Sequence, residues 1–281
     1  RLSCFTQYIY QRELTRLPIL QSPLSTLSAT AEIKAMADGS IKHRVLITGF
    51  GPFHTIVNNP SWLAVQTLHD LVINTTPPRG QPPKGGKPEL VHITSLYMPV
   101  VYSAVLRTVP GLHAAPPVLP ASDLPPEGTS LAPPEDGYSL IVHVGVAGPG
   151  ILRAERLGHK SGYRSPDHEG AFAPEIGLGR RGFGGARYGV EFADELRTAV
   201  DVDGLTAHLT TDADPLEIVT SNDAGRFLCD FIYYCSLAES QRAGRKTPVL
   251  FIHCPPVDES LSTERVAGGL VRIISYICGQ L

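Results

Sequence analysis

Two cysteines six residues apart, Cys229 and Cys235, lie in the stretch SNDAGRFLCDFIYYCSL that runs from Ser221 to Leu237. A thiol is a strong nucleophile once ionised, so this stretch is where chemistry is first sought. Leu228, Phe231, Ile232 and Cys235 recur at helical spacing and form an apolar face, which reads Cys235 as core. Cys229 falls at the shoulder of that face. It lies near a helix start marked by the capping residues Ser221, Asn222 and Asp223 and by Gly225. There the helix dipole favours a thiolate. Buried, inert cysteines are common, so position alone leaves Cys229 open between nucleophile and core.

A cysteine nucleophile needs a base within hydrogen-bond reach and a group that orients the base. His253 ends the apolar run Thr247-Pro-Val-Leu-Phe-Ile-His253, where Pro255 and Pro256 stop the strand. A histidine so placed either serves a site or bonds a neighbouring carbonyl. Glu155, in Leu152-Arg-Ala-Glu-Arg156, follows a glycine turn and has the chemistry to orient an imidazole. An acid flanked by arginines is more often a solvated ion-pair residue, and spacing alone does not select it.

Other motifs point away from cofactors. Gly145-Val-Ala-Gly-Pro-Gly150 follows a strand, as a phosphate cradle does. It lacks the Gly-Lys-Ser/Thr ending of a P-loop and the spacing of a dinucleotide fingerprint, and Pro149 removes an amide donor. His159, His168 and Glu169 do not have metal-ligand spacing. No metal or cofactor is expected.

These residues must be positioned by strands and helices. Arg44–Phe50, residues 89–96, Tyr138–Val144 and Thr247–His253 are continuous apolar runs, the pattern of strands buried on both faces. A short strand is expected at 216–220. Helices are expected from Asn59 to about Leu71, over 99–109, over 191–200, after Ser221, and over 260–278 as an amphipathic terminal helix. Strands alternating with helices predict a three-layer α/β/α domain with a mainly parallel twisted central sheet. Ligand sites in such sheets lie at the carboxyl ends of strands, where Gly49–Phe53, Gly145–Glu155 and His253 fall.

Fourteen of the 25 prolines lie between Pro77 and Pro134. Residues 73–88 and 110–137 therefore read as exposed Pro-rich insertions in a single domain spanning 41–281. Residues 1–40 are Ser/Thr-rich, with both arginines and acids. They read as a disordered tail or a gene-model extension before Met36 rather than as a transit peptide. A net charge of −3 gives no reason to expect nucleic acid or an anionic membrane as partner. No segment approaches the ~18 apolar residues of a membrane span. Five cysteines without C-x-x-C spacing fit a reducing, cytoplasmic setting.

Several of these stretches resemble one family in order along the chain. Thr48-Gly-Phe-Gly-Pro-Phe53 with Asn59-Pro-Ser-Trp62 resembles the amino-terminal signature of pyroglutamyl peptidase I. Those cysteine peptidases remove an N-terminal pyroglutamate (5-oxoproline). Val142-His-Val-Gly-Val-Ala-Gly148 with Glu155-Arg156 resembles the glutamate segment of that family. Ser221-Asn-Asp-Ala-Gly225 with Phe227-Leu-Cys229 resembles its nucleophile segment, and Phe251-Ile-His253 its histidine segment.

The resemblance implies a Cys–His–Glu triad of Cys229, His253 and Glu155 acting through a thioester on pyroglutamyl-blocked peptides. It also implies a pocket in which Phe50 and Phe53 pack against the lactam ring, with Phe227 and Leu228 as further apolar walls. Asn59 would fix this region, and Arg164, before Pro166-Asp167, would stand near the active site.

Four features depart from the family pattern. At Tyr97-Met98-Pro99 a tyrosine replaces the polar residue expected before the proline motif. The segment between Glu155 and Arg164 is one residue short. Asp230 stands where asparagine is usual, and its charge beside Cys229 would oppose a thiolate. Cys254, beside His253, suggests a disulfide with Cys229 and so a need for reductant. These departures fit a divergent eukaryotic, fungal-type branch. They keep two alternatives in view: a non-catalytic binding protein on the same fold, and a hydrolase of another N-terminally blocked amide.

Overall fold

A computed structural model describes residues 41–120, 131–256 and 260–281. The expected tail or extension at 1–40 lies outside the described residues, as do 121–130 of the second Pro-rich stretch.

The apolar runs form the centre of the molecule. β1 (Ile41–Phe50), β3 (Leu90–Met98), β4 (Leu140–Val146) and β9 (Val249–Cys254) are neighbours in a seven-stranded sheet of order β2-β3-β1-β4-β9-β5-β8. Pairs β1–β3, β1–β4, β4–β9 and β5–β8 are parallel. β2 (Val72–Asn74) joins β3 antiparallel, and β5 (Leu152–Glu155) joins β9 antiparallel. The edge strand β8 spans Ile218–Ser221. A separate ribbon pairs β6 (Leu157–His159) with β7 (Glu195–Arg197).

Consecutive residues of a strand face opposite sides, and both sides here are covered. Val45 and Ile47 belong to one core with Ala64 of α1 (Pro60–Gln66), Leu205 of α3 (Val202–Thr210) and Leu270 of α5 (Thr263–Cys278). Leu46 and Phe50 belong to the other, with Val105 of α2 (Tyr102–Leu112) and Phe231 of α4 (Leu228–Arg242). Each fully buried aliphatic side chain contributes about 1.5–3 kcal/mol, which explains why every central strand is apolar on both faces. The result is the expected three-layer α/β/α architecture.

The structure departs from the expected elements in three places. Residues 191–200 are not a helix. Glu195–Arg197 pair with β6, and Lys160 N–H donates to Asp194 and Thr198 N–H to Arg156. The free edge of β6 thus claims backbone groups that a helix would have used internally. The starts of the stretches at 73–88 and 110–137 are not exposed insertions, because Ile73 and Thr75 are buried at the sheet edge, and Leu112, at the end of the helix Tyr102–Leu112, is buried with His113.

The helix after Ser221 begins later than expected, at Leu228. Ser221 ends β8. Asp223 accepts from Gly225 N–H at 3.0 Å and from Arg226 at 2.6 Å, and Gly225 takes φ +85°, so this segment is a turn, not a cap. Every residue from Asp230 to Ser240 is buried. The ribbon and the segment bearing Phe183 and Tyr188 cover the outer side of α4. Phe183 stacks on Phe231 at 4.2 Å, and Gly158 leaves room for the backbone of Tyr234. The helix is therefore buried all round rather than on one face, with the polar side chains of Asp230, Ser236 and Glu239 enclosed among its apolar ones.

Candidate active site

Cys229 is the second residue of α4, behind Phe227, which caps the helix with no side-chain bond. The first-turn N–H groups have no intrahelical acceptor and point out of the helix end. The thiol sits over the last turn of β4. A β-carbon on Gly145 would stand 2.7 Å from the Cys229 sulfur. Gly145 is the register partner of His253 on the adjacent strand β9, about 4.8 Å away. Strand geometry therefore sets thiol and imidazole side by side.

His253 is buried, and its Nδ1 lies 2.8 Å from Glu155 Oε1. Glu155 is wholly buried at the end of β5, and its backbone carbonyl accepts from the Tyr233 hydroxyl at 2.8 Å. With Nδ1 committed to the carboxylate, Nε2 is the nitrogen left for the thiol. Burial alone would push the imidazole pKa down. The Cys229 thiol and then Glu155, through hydrogen bonds and charge, outweigh burial and raise it to about 9. The arrangement can hold a thiolate–imidazolium pair and move a proton at Nε2.

Both groups open into a cavity of about 350 Å³. Phe50, Phe53, Val100, Val146, Phe227 and Leu228 form its apolar side. The Phe53 and Phe227 rings are 6.4 Å apart, and Tyr102 backs Phe227 at 6.1 Å. Asn59 also lines the cavity, but its polar atoms hold the loop. Nδ2 donates to the Gly51 carbonyl at 2.8 Å, and Oδ1 accepts from Ser61 N–H at 3.1 Å and Ser61 Oγ at 2.8 Å. Ser61 Oγ in turn accepts from Phe50 N–H at 3.0 Å. These bonds fix the loop that presents Phe50 and Phe53.

Eight of the nine residues named from the sequence therefore converge on this site. Arg164 does not: it is exposed and is not among the cavity-lining residues. Nearby Asp167 does anchor the segment, accepting from Tyr102 N–H at 2.9 Å.

Cys254 is no partner for Cys229. Its side chain alternates to the opposite face of β9 from His253 and is buried in the core beneath α5. Burial also pushes its thiol up to about 12. Both cysteines are free thiols.

Asp230 has bonding partners of its own. Its carboxylate is wholly buried and bonded away from the thiol, toward β6. Oδ1 accepts from His159 N–H at 3.2 Å and lies 2.9 Å from His159 Nδ1, while Oδ2 accepts from the Tyr163 hydroxyl at 2.8 Å. The bond to Asp230 raises the His159 pKa. These contacts tie the first turn of α4 to the ribbon.

Arg153 and Asp223 line the cavity as well, and sequence reasoning missed both. Arg153 lies two residues before Glu155, on the same face of a short strand. Recognising that strand would have revealed it.

No family model matches the chain. Pyroglutamyl-peptidase 1 from Mus musculus and that from Homo sapiens are each 30% identical to it over 239 residues, 84% of this chain and 90% of theirs. Among solved structures, pyroglutamyl peptidase I from Bacillus amyloliquefaciens superposes with a TM-score of 0.60 at 21% identity, covering 85% of this chain and 98% of that one. A mutant pyrrolidone carboxyl peptidase from Pyrococcus furiosus gives 0.58 at 20%, covering 85% and 99%. The solved structures share the fold, and the mammalian relatives extend that likeness to sequence over nine-tenths of their length. On these grounds the chain belongs to the pyroglutamyl peptidase I family of cysteine exopeptidases.

Proposed function

We propose that this protein hydrolyses the amide bond that follows an N-terminal pyroglutamyl residue, with Cys229 as nucleophile, His253 as general acid–base and Glu155 as the orienting acid. The observation that carries this reading is the setting of His253. One ring nitrogen is held at 2.8 Å by a buried carboxylate, and the other is left for a thiol at the floor of an apolar cavity.

A pyroglutamyl group has no charged amine, so Phe50, Phe53, Phe227 and Leu228 bury it without an ion-pair partner. The Cys229 thiolate attacks its carbonyl carbon, and the first-turn amides of α4 stabilise the oxyanion. The His253 imidazolium gives its proton to the leaving nitrogen, the C–N bond breaks, and a thioester remains. Neutral His253 then takes a proton from water, which attacks the thioester. Pyroglutamate departs and Cys229 is regenerated. No step calls on a group outside the chain other than water. The same reading places the protein in the cytoplasm, and the four free thiols among the described residues support a reducing compartment.

The test is turnover of a pyroglutamyl amide beside prolyl and acetyl amides of the same amine. Cleavage of the first alone is expected, since unpaired polar groups in the site penalise a ring lacking the lactam carbonyl. Iodoacetamide should inactivate, and pyroglutamate should protect. Cleavage of the acetyl amide instead would support a hydrolase of other blocked amides. Absence of all cleavage would support a binding protein.

A further inference from the structure

Arg153 is a cavity residue that the proposed chemistry leaves unused. Strand order gives it a specific place. On the face beneath α4 and its preceding turn, Phe50 ends β1, Gly145 under the thiol belongs to β4, His253 to β9 and Arg153 to β5. Arg153 is the register partner of His253 on one side and of Val219, on β8, on the other. Val219 is 44% exposed, whereas His253 is 6% exposed. A line across three neighbouring strands thus runs from buried imidazole to half-buried guanidinium to solvent.

The direction of a substrate along this line follows from the chemistry. The ring occupies the apolar side by Phe50, and the sulfur takes the carbonyl carbon. His253 must reach the leaving nitrogen, so the leaving group extends past His253 toward β5 and β8. Arg153 is the next side chain it meets. A leaving amino acid carries its carboxylate carbon about 2.5 Å from its nitrogen. Adjacent strands are about 4.8 Å apart, which puts that carboxylate between His253 and the guanidinium fork. Among the described residues no carboxylate is in ion-pair distance of Arg153. Asp223, the acid that shares the cavity, is held by Arg226 at 2.6 Å.

We infer that Arg153 binds the free α-carboxylate of the residue following the pyroglutamyl group, so that pyroglutamyl dipeptides are the preferred substrates. This inference rests on the peptidase reading above. Arginine suits the role, since its planar fork bonds both carboxylate oxygens and stays charged throughout the working pH range.

The experiment compares pyroglutamyl-alanine with pyroglutamyl-alanine amide, which differ only in that carboxylate. A kcat/KM about tenfold or more higher for the acid is expected, the scale of a charge-assisted bond in a half-buried site. The difference should lie mainly in KM and shrink with added salt. Arg153→Gln should bring the two substrates within about twofold of each other, and Arg153→Lys should retain part of the preference. Equal hydrolysis of acid and amide by the unmodified protein overturns the assignment of Arg153 and leaves the peptidase reading standing. Hydrolysis of neither overturns the peptidase reading, and the assignment with it.

Discussion

Gly145 lies directly beneath the sulfur of Cys229, so close that a β-carbon would stand 2.7 Å from it and 2.8 Å from the Phe251 ring. The backbone there is ordinary strand, so glycine is required by space and not by φ. Gly145→Ala should lower kcat/KM at least about 100-fold, because displacing a reacting atom by about 1 Å costs that much. Circular dichroism should still show a folded protein. Full activity in this variant would mean that the sulfur does not react from this position.

The raised pKa of His253 predicts an alkaline limit. Activity that depends on the charged imidazole should fall as pH rises through about 9. Glu155→Gln removes one of the groups that hold the proton, so this limit and the imidazole pKa, followed by NMR, should both move down. The linkage has the same sign. A folded pKa above the unfolded 6.5 contributes stability that is complete below pH 6.5 and is lost as pH rises through about 9. An unchanged NMR titration in Glu155→Gln would refute the coupling.

Asp230 should act on stability before it acts on chemistry. Asp230→Ala leaves the His159 N–H and imidazole without their acceptor in a buried setting, at a cost of about 3 kcal/mol in urea unfolding. Asp230→Asn should cost about 1 kcal/mol, since its oxygen still accepts from His159 and its amide can donate to the Tyr163 oxygen. Equal losses in the two variants would show that the carboxylate's charge is the essential feature.

The cysteines should separate cleanly. Cys229→Ser should abolish turnover, while Cys254→Ala should retain it with a loss of about 1–2 kcal/mol in stability from the lost packing. Peptide mapping after mild oxidation should find no Cys229–Cys254 disulfide, since the two thiols belong to opposite faces of the sheet.

The long strands were legible because parallel strands covered on both faces are written as unbroken apolar runs, as in Val45–Ile47 and Val249–Ile252. The proposed triad is reached chiefly through family resemblance. Glu155 looked solvated because arginines surround it. In β5, alternation turns Arg153 and Glu155 to the same face, and the acid is buried by its bond to His253 rather than by any apolar pattern. Residues 191–200 looked helical by composition, but the open edge of β6 offered better backbone bonds. The partners of Asp230 lie 71 and 67 residues upstream, a distance at which periodicity is silent.

The reversed direction of β5 has a consequence for how such an enzyme can change. Running against β9, it puts Arg153 level with His253 and Glu155 two residues deeper, level with Phe251. One short strand therefore serves two layers of the site, separated by about 6.6 Å of chain. The lower layer is sealed and, on the proposed reading, orients the base. The upper layer, on the inference drawn for Arg153, meets what the substrate trails behind it. On that reading, substitution at position 153 retunes recognition while the acid at 155 stays untouched, so choice of substrate and chemical competence are free to drift apart within three consecutive residues.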